Sequence, residues 1–275
     1  MFKLLILSTT SILLLLSASV TYADHHGGAK TAIENAVTNN SFRTEKDKER
    51  DQFRNPTETL MFFGIKPTMT VAEVGPSSGW YTRILAPLTA EKGKYIGLNA
   101  LPSAGERFER SMQWRESFID HQTGLFGANA TARFLGNAVP FAAPNSVDAV
   151  LVIRGMHGRI ARGGANELLE EAFIVLKPGG VLGIVQHREK EDFKTDPTET
   201  IRGYVKQSFI IDMVETAGFK LDATSEINAN PKDTANWERG VWSLQAGTPI
   251  AEKSKQNQEI GESDRMTLRF VKPMN

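Results

Sequence analysis

Hydrophobic positions along the chain fall into two repeating patterns. Val71–Val74, Val147–Ile153 and Val181–Val185 are almost continuous apolar runs, as expected for parallel strands covered on both faces. Between and after them come stripes at helical spacing: Tyr81, Ile84, Leu85 and Leu88; Leu169, Ala172, Phe173 and Leu176; Ile210, Met213, Val214 and Ala217. The first run is read as a strand over Thr70–Val74, further strands are predicted over Lys94–Leu98, Ala132–Leu135, Lys220–Ser225 and Met266–Val271, and a helix over Ala104–Asp120 with Phe108, Met112 and Ile119 inward. Strands alternating with helices imply an α/β protein with a doubly wound, mostly parallel sheet. In such a sheet ligands sit outside the carboxyl ends of the strands, where the winding reverses.

The flanks follow a different logic. Residues 1–23, MFKLLILSTTSILLLLSASVTYA, have an early lysine, an apolar stretch and small residues at the end, the layout of a secretory signal peptide. Thr21 and Ala23 suit the cleavage positions, so the predicted mature chain starts at Asp24, in the periplasm or outside the cell, with no stable membrane anchor after cleavage. Residues 24–54 divide into a polar, mobile leader to about Asn40 and a charged stretch, FRTEKDKERDQFR, expected as an exposed helix. Asn55 is a candidate cap for a short helix with Pro56 at its first position and Gly64 as its stop. One domain then spans 55–275, with a long polar segment, 227–265, before the last strand. That segment, which carries Trp237 and Trp242, reads as either a lid or a disordered excursion. EKEDFKTDPTET is expected as a charged loop at the sheet's carboxyl edge.

Composition narrows the chemistry. Basic and acidic residues are equal, at 32 each, so there is no polyanion-binding signature and nucleic acid is not an expected partner. The chain has no cysteine, which excludes disulfides, thiolate metal sites, a cysteine nucleophile and a lipid-modified amino terminus. No metal site is expected.

The stretch with the sharpest chemical meaning is VAEVGPSSGWYT, Val71–Thr82: a strand, a turn with Gly75 and Gly79, then a helix. A phosphate-binding P-loop needs Lys and Ser/Thr after its last glycine, and Trp80 and Tyr81 stand there instead. A dinucleotide fold wants G-x-G-x-x-G and an acid after the second strand; here the spacing is G-x-x-x-G and the residue is Asn99. The remaining reading is a nucleoside ligand without a pyrophosphate.

EVGPSSG resembles the first motif of class I S-adenosylmethionine-dependent methyltransferases. LKPGG, Leu176–Gly180, is similar to their turn into the fifth strand. NAVPFAAPNSVDAVLV, Asn137–Val152, resembles their segment leading into strand four. More narrowly, NPTETLMFFGIKPTMTVAEVGPSSGWYTRILAP resembles a group of exported bacterial proteins described as predicted methyltransferases. The resemblance implies seven strands with an antiparallel last one, a Rossmann-like methyltransferase fold, and S-adenosylmethionine as cofactor. It implies that Glu73, Gly75, Ser77 and Gly79 line the amino-acid end of that cofactor, that Asn99 faces its ribose and that Asn137 faces its adenine. The family usually has acids at the last two positions. An amide keeps one hydrogen bond there and loses the charge-assisted grip.

On the acceptor side, strand four runs into RGMHGR and strand five into QHR, which gathers Arg154, His157, Arg159, His187 and Arg188 at one edge. A histidine there suits a general base and the arginines suit an anionic acceptor. His157, His187 and Arg154 are the candidate catalytic residues, with His157 the base and His187 orienting the acceptor. The alternative for these residues is that the arginines pair with nearby acids such as Glu189 and that the histidines cap strand ends. The expected function is transfer of a methyl group to a small acceptor, anionic if the arginines hold it. The alternative is an exported binding protein that keeps the fold without catalysis; a nicotinamide oxidoreductase is disfavoured by the glycine spacing.

Overall fold

The computed structural model describes residues 22–100, 130–135, 140–194, 196, 198–244 and 259–274. The helix expected over 104–120 and the adenine-facing Asn137 lie outside these residues. Among the described residues there are eight strands: β1 (Thr70–Val74), β2 (Lys94–Ala100), β3 (Ala130–Leu135), β4 (Val147–Ile153), β5 (Leu176–Glu189), β6 (Val205–Lys206), β7 (Lys220–Ser225) and β8 (Arg265–Val271). Seven form one sheet in the order β3-β2-β1-β4-β5-β8-β7, and the two-residue β6 pairs separately with β5. All neighbours from β3 to β5 are parallel, and β8 runs antiparallel to both β5 and β7. This is the Rossmann-like methyltransferase arrangement expected above.

The chain winds outward from β1 to β3 and then crosses back to place β4 on the other side of β1. The crevice at the carboxyl ends of β1 and β4 is therefore the switch point. Two apolar cores cover the sheet. One packs α7 (Ala165–Val175) and α8 (Gln207–Thr216) against Val150, Val152, Leu182 and Leu268. The other packs α1 (Tyr22–Thr38), α4 (Pro56–Phe62) and α5 (Thr82–Thr89) against Val71, Ala149 and Leu151. The stripe Tyr81, Ile84, Leu85 and Leu88 is buried throughout.

Four local expectations are corrected. The polar leader is not mobile along its length: Tyr22–Thr38 is helical, with Ile33 fully buried beside Ala36 and Val37. These apolar residues recur at helical spacing among polar ones, and burying them outweighs the helix-weakening Gly27 and Gly28. The charged stretch is two one-turn helices, α2 (Glu45–Lys48) and α3 (Asp51–Arg54), rather than one exposed helix. Thr44 and Asp47 close a reciprocal cap on α2, and Arg43, Asp47 and Arg54 are buried. Asn55 does not cap α4 with its side chain. It adopts a left-handed conformation between α3 and α4, and its amide donates to the Ile227 carbonyl at 2.7 Å. Finally, LKPGG lies within β5 as a bulge: Val147 pairs with Leu176 and Ala149 with Val181, so Lys177–Gly180 arch out between them.

The segment before β8 is ordered where it is described. Asn228, Asp233 and Ala235 are buried, and Asp233 accepts from Tyr204 Oη, Trp237 Nε1 and the Asp264 amide. A 3₁₀ turn over Gly240–Ser243 then lays Val241 and Trp242 over the crevice. For these residues the covering role holds and the disordered one does not. Residues 190–194 form the expected loop after β5.

Candidate active site

A cavity of about 420 Å³ opens at the switch point, and each wall comes from a different element. β1 supplies Glu73 and the turn that follows supplies Gly75, Pro76, Ser77 and Ser78. The end of β4 supplies Ile153 and Arg154. His157 comes from α6 (Met156–Ala161), His187 from β5, Arg50 from the residue before α3, and Val241 and Trp242 from the covering turn. Six of the nine residues singled out from sequence therefore share one space: Glu73, Gly75, Ser77, Arg154, His157 and His187.

The glycine turn alternates into left-handed backbone at Gly75, Ser77 and Gly79, with φ of 65°, 53° and 79°. Gly75 donates its N–H to the Leu98 carbonyl at 2.7 Å, tying the turn to the end of β2. A Cβ added at Gly75 would meet no atom within 4 Å, so bare backbone faces open space. Gly79 serves differently. Its N–H closes the turn on the Pro76 carbonyl at 2.8 Å, it does not line the cavity, and an added Cβ would approach the Arg83 side chain. Its glycine is required by the positive φ.

Glu73 is buried at the floor. Its Oε2 accepts from Thr82 Oγ1 at 2.8 Å and from Tyr95 Oη at 2.7 Å. Burial pushes its pKa up to about 7, against the opposing pull of those hydrogen bonds and of Arg83. A carboxyl whose folded-state pKa is raised contributes stability below its unfolded value, and that contribution is lost as pH rises through the folded value. Stability should therefore decline between pH 4.5 and about 7. Glu73→Gln keeps the acceptor oxygen, so thermal melts should show this slope removed and a gain of up to about 3 kcal/mol at pH 8. An unchanged slope would show that Glu73 is ionised throughout.

Asn99 stands one residue beyond Leu98, next to the glycine turn. It is buried, does not line the cavity, and its Nδ2 has no hydrogen-bond partner among the described residues. A buried amide donor without a partner is costly, and a hydroxyl arriving there would relieve the cost.

The two histidines stand with ring centroids 5.7 Å apart. His187 is buried and its Nδ1 shares a hydrogen bond of 2.5 Å with Ser263 Oγ. Burial, followed by Arg154, holds its pKa well below the ordinary range. His157 is half-buried, and Trp242 packs edge-on at 5.8 Å. Nδ1 of His157 meets the Gln186 amide, 3.4 Å from Oε1, and Gln186 is itself fixed by donating to the Gly203 carbonyl at 2.8 Å. That leaves Nε2 of His157 as the ring nitrogen without a hydrogen-bond partner among the described residues. The bend that aims His157 comes from Arg154, whose φ is 57°, and not from the flanking glycines: Gly155 has a φ of −109° and Gly158 is helical.

Other members of the arginine group diverge. Arg188 turns away to pair with the nearby acids Glu226 and Asp264, as the alternative for the arginines expected. Arg159 does not line the cavity. Sequence reasoning missed Arg50, Trp80 and Glu262. Trp80 lies between Arg43 and Arg54, whose guanidinium carbons are 5.0 and 4.6 Å from its ring, and Glu262 accepts from Arg50, Arg54 and Arg265. The ion pairs with Arg50 and Arg54 join residues more than two hundred positions apart, which no local motif announces.

The fold and this switch-point cavity define the architectural class: a Rossmann-like methyltransferase fold. The structure is similar to that of a SAM-dependent methyltransferase from Aquifex aeolicus, with a TM-score of 0.52 and 19% identity over 88% of this chain and 98% of that one. It is also similar to a protein from Galdieria sulphuraria assigned as a sarcosine dimethylglycine methyltransferase, with a TM-score of 0.50 and 15% identity over 82% and 85% of the two chains. No protein-family model and no curated protein matches the sequence.

Proposed function

We propose that the protein transfers a methyl group from S-adenosylmethionine to a small acceptor bound in the switch-point cavity. The observation that carries this reading is the meeting, in one cavity, of bare backbone at Gly75, the Glu73 carboxyl and the free face of His157. The residues present suit the cofactor. Gly75 leaves room where a side chain would intrude, and Asn99, beside the turn, would accept from a ribose hydroxyl through its amide oxygen, its Nδ2 having no partner among the described residues. Glu73 would stand by the cationic amino-acid end.

Bound S-adenosylmethionine would supply an electrophilic methyl group on a sulfonium. His157 takes the proton of an acceptor hydroxyl on Nε2 while Gln186 fixes its ring. His187, locked by Ser263, forms the wall against which the acceptor is oriented. Val241 and Trp242 shield the site from water, so alignment carries much of the rate. Incubation with methyl-labelled S-adenosylmethionine and a panel of small hydroxylated acids tests this. Label should appear in a product, and S-adenosylhomocysteine should form only when an acceptor is present.

Two expectations belong to this reading. Cofactor binding should tighten as pH rises through about 7, because a cationic ligand favours ionised Glu73, and Glu73→Gln should abolish that dependence. Asn99→Asp should tighten S-adenosylhomocysteine binding by about 1 kcal/mol, roughly fivefold, through a charge-assisted bond to ribose. Calorimetry showing unchanged or weaker binding would remove Asn99 from the ribose. The missing acid at Asn99 favours a second reading, a binding protein that keeps the fold without turnover. The signal-like residues 1–23 support export, and mass spectrometry of the secreted fraction should find a chain starting at Asp24.

A further inference from the structure

The cavity region holds more guanidinium than carboxylate. Arg50, Arg54 and Arg265 all donate to the single carboxylate of Glu262. Arg54 still leaves one amino group, Nη2, buried with no partner among the described residues. Arg154 lines the cavity with Arg50, and no carboxylate or other hydrogen-bond acceptor engages its guanidinium among the described residues. Its backbone is left-handed, a conformation disfavoured for any residue with a Cβ. Burial, and then the neighbouring Arg54, push its pKa down to about 9, so it remains a cation at neutral pH. A strained backbone that holds a cation with no hydrogen-bonded carboxylate against a cavity, Glu262 acting on it only at longer range, points to a functional role.

The ligand chemistry can be read from what is missing. One free guanidinium fork matches one planar carboxylate, in two parallel hydrogen bonds. Arg50, Arg54 and Arg265 are tied to Glu262 by hydrogen bonds, so Arg154 is the guanidinium whose fork faces the cavity without a bonded carboxylate among the described residues. Ile153, Tyr81, Val241 and Trp242 supply an apolar and aromatic part of the wall, beside the polar Ser77, Ser78 and the two histidines.

Resting on the methyl-transfer reading for which end of the cavity faces the acceptor, we propose that Arg154 docks the acceptor's carboxylate, so that the substrates are small monocarboxylic acids with an apolar or aromatic body. The same chemistry has a second source, the carboxylate of the cofactor's own amino-acid end, and the test separates the two.

Benzoate and its neutral isostere benzamide are titrated into the purified protein by calorimetry, alone and with S-adenosylhomocysteine, for the wild type, Arg154→Met and Arg154→Lys. Benzoate should bind at least tenfold more tightly than benzamide. Arg154→Met should erase that preference and Arg154→Lys should keep part of it, while S-adenosylhomocysteine affinity stays within twofold. Arg154→Met should also raise the melting temperature of the ligand-free protein, because it removes an unpaired cation without changing the backbone demand. In the wild type alone, benzoate should raise the melting temperature and benzamide should not, a readout that survives if a variant fails to fold. Equal binding of benzoate and benzamide, or of neither, overturns the proposal. A tenfold loss of S-adenosylhomocysteine binding in Arg154→Met, with the benzoate preference kept, assigns the guanidinium to the cofactor and also overturns it. If benzoate is preferred but S-adenosylhomocysteine does not bind at all, the carboxylate site stands and the methyl-transfer reading falls.

Discussion

Replacing Glu262 by alanine is expected to destabilise the protein by about 3–5 kcal/mol, the cost of breaking a buried ion pair from one side. Its carboxylate receives Arg50 Nε at 2.6 Å, Arg54 Nε at 3.1 Å and Arg265 Nη1 at 3.0 Å, and Glu262 and Arg54 are both buried. Removing it leaves three guanidiniums facing one another beside Trp80 and the cavity. For a chain of this size the loss corresponds to a fall in melting temperature of about 6–20 °C. Glu262→Gln should cost nearly as much, since it keeps the volume and loses the charge. Burial works against this carboxylate, but Arg265, Arg54, Arg154 and Arg50 overcome it and hold its pKa down to about 2. A depressed folded-state pKa gives stability that is present above the unfolded value and lost as pH falls through the folded one. The wild type should therefore lose stability between pH 4.5 and about 2, and Glu262→Gln should lose less over that window. Melting curves of the three proteins from pH 2 to 7 check both statements. A shift of less than 1 kcal/mol for Glu262→Ala would show that the arginines are satisfied without it.

His157→Ala is expected to lower turnover by about 10²–10⁴-fold with cofactor affinity nearly unchanged, the ordinary range for removing a general base. His157 is the more accessible of the two ring systems, and its Nε2 is the nitrogen without a hydrogen-bond partner among the described residues once Gln186 engages Nδ1. Burial pushes its pKa below the usual imidazole range, with Gln186 opposing and Arg162 and Arg154 adding to the depression. The base form is thus populated at neutral pH, and turnover should fall only below the ordinary imidazole value near 6.5. His187→Ala should mainly raise the acceptor's half-saturation concentration, because that ring is buried and committed to Ser263. Single-turnover methyl transfer by each variant separates these roles. Equal and small effects would show that alignment alone carries the reaction.

The alternation of strand and helix was legible because parallel strands and amphipathic helices differ in period, and Val147–Ile153 and the Ile84–Leu85 stripe could hardly be misread. The antiparallel last strand followed from the resemblance carried by EVGPSSG and LKPGG, not from the apolar pattern itself, and the strand order is given by the structure alone. Helix α1 was missed because its apolar residues are few and small, except Ile33, and because Gly27 and Gly28 weaken the signal. Glu73, Gly75, Ser77, Arg154, His157 and His187 were legible because each lies within a few residues of the carboxyl end of a parallel strand. Glu262 and Arg265 arrive at the same edge for another reason: β8 runs the opposite way, so the cavity meets its beginning. Arg50 comes from a segment that looked like a solvated charged helix. A charge cluster assembled from both ends of the chain has no period and no spacing, and only the folded sheet brings it together.

The switch-point cavity is expected to receive an S-adenosyl ligand against the bare backbone of Gly75, its ribose reaching out to Asn99 beside the turn. Calorimetry of the purified protein with S-adenosylmethionine, S-adenosylhomocysteine and NAD tests it most directly, with Gly75→Val, checked by its melting curve to remain folded despite the left-handed backbone there, as the variant that fills the open space against the turn. Both S-adenosyl ligands should bind the wild type, neither should bind Gly75→Val, and NAD should give no heat. Binding of NAD, or silence for all three ligands, would contradict the account.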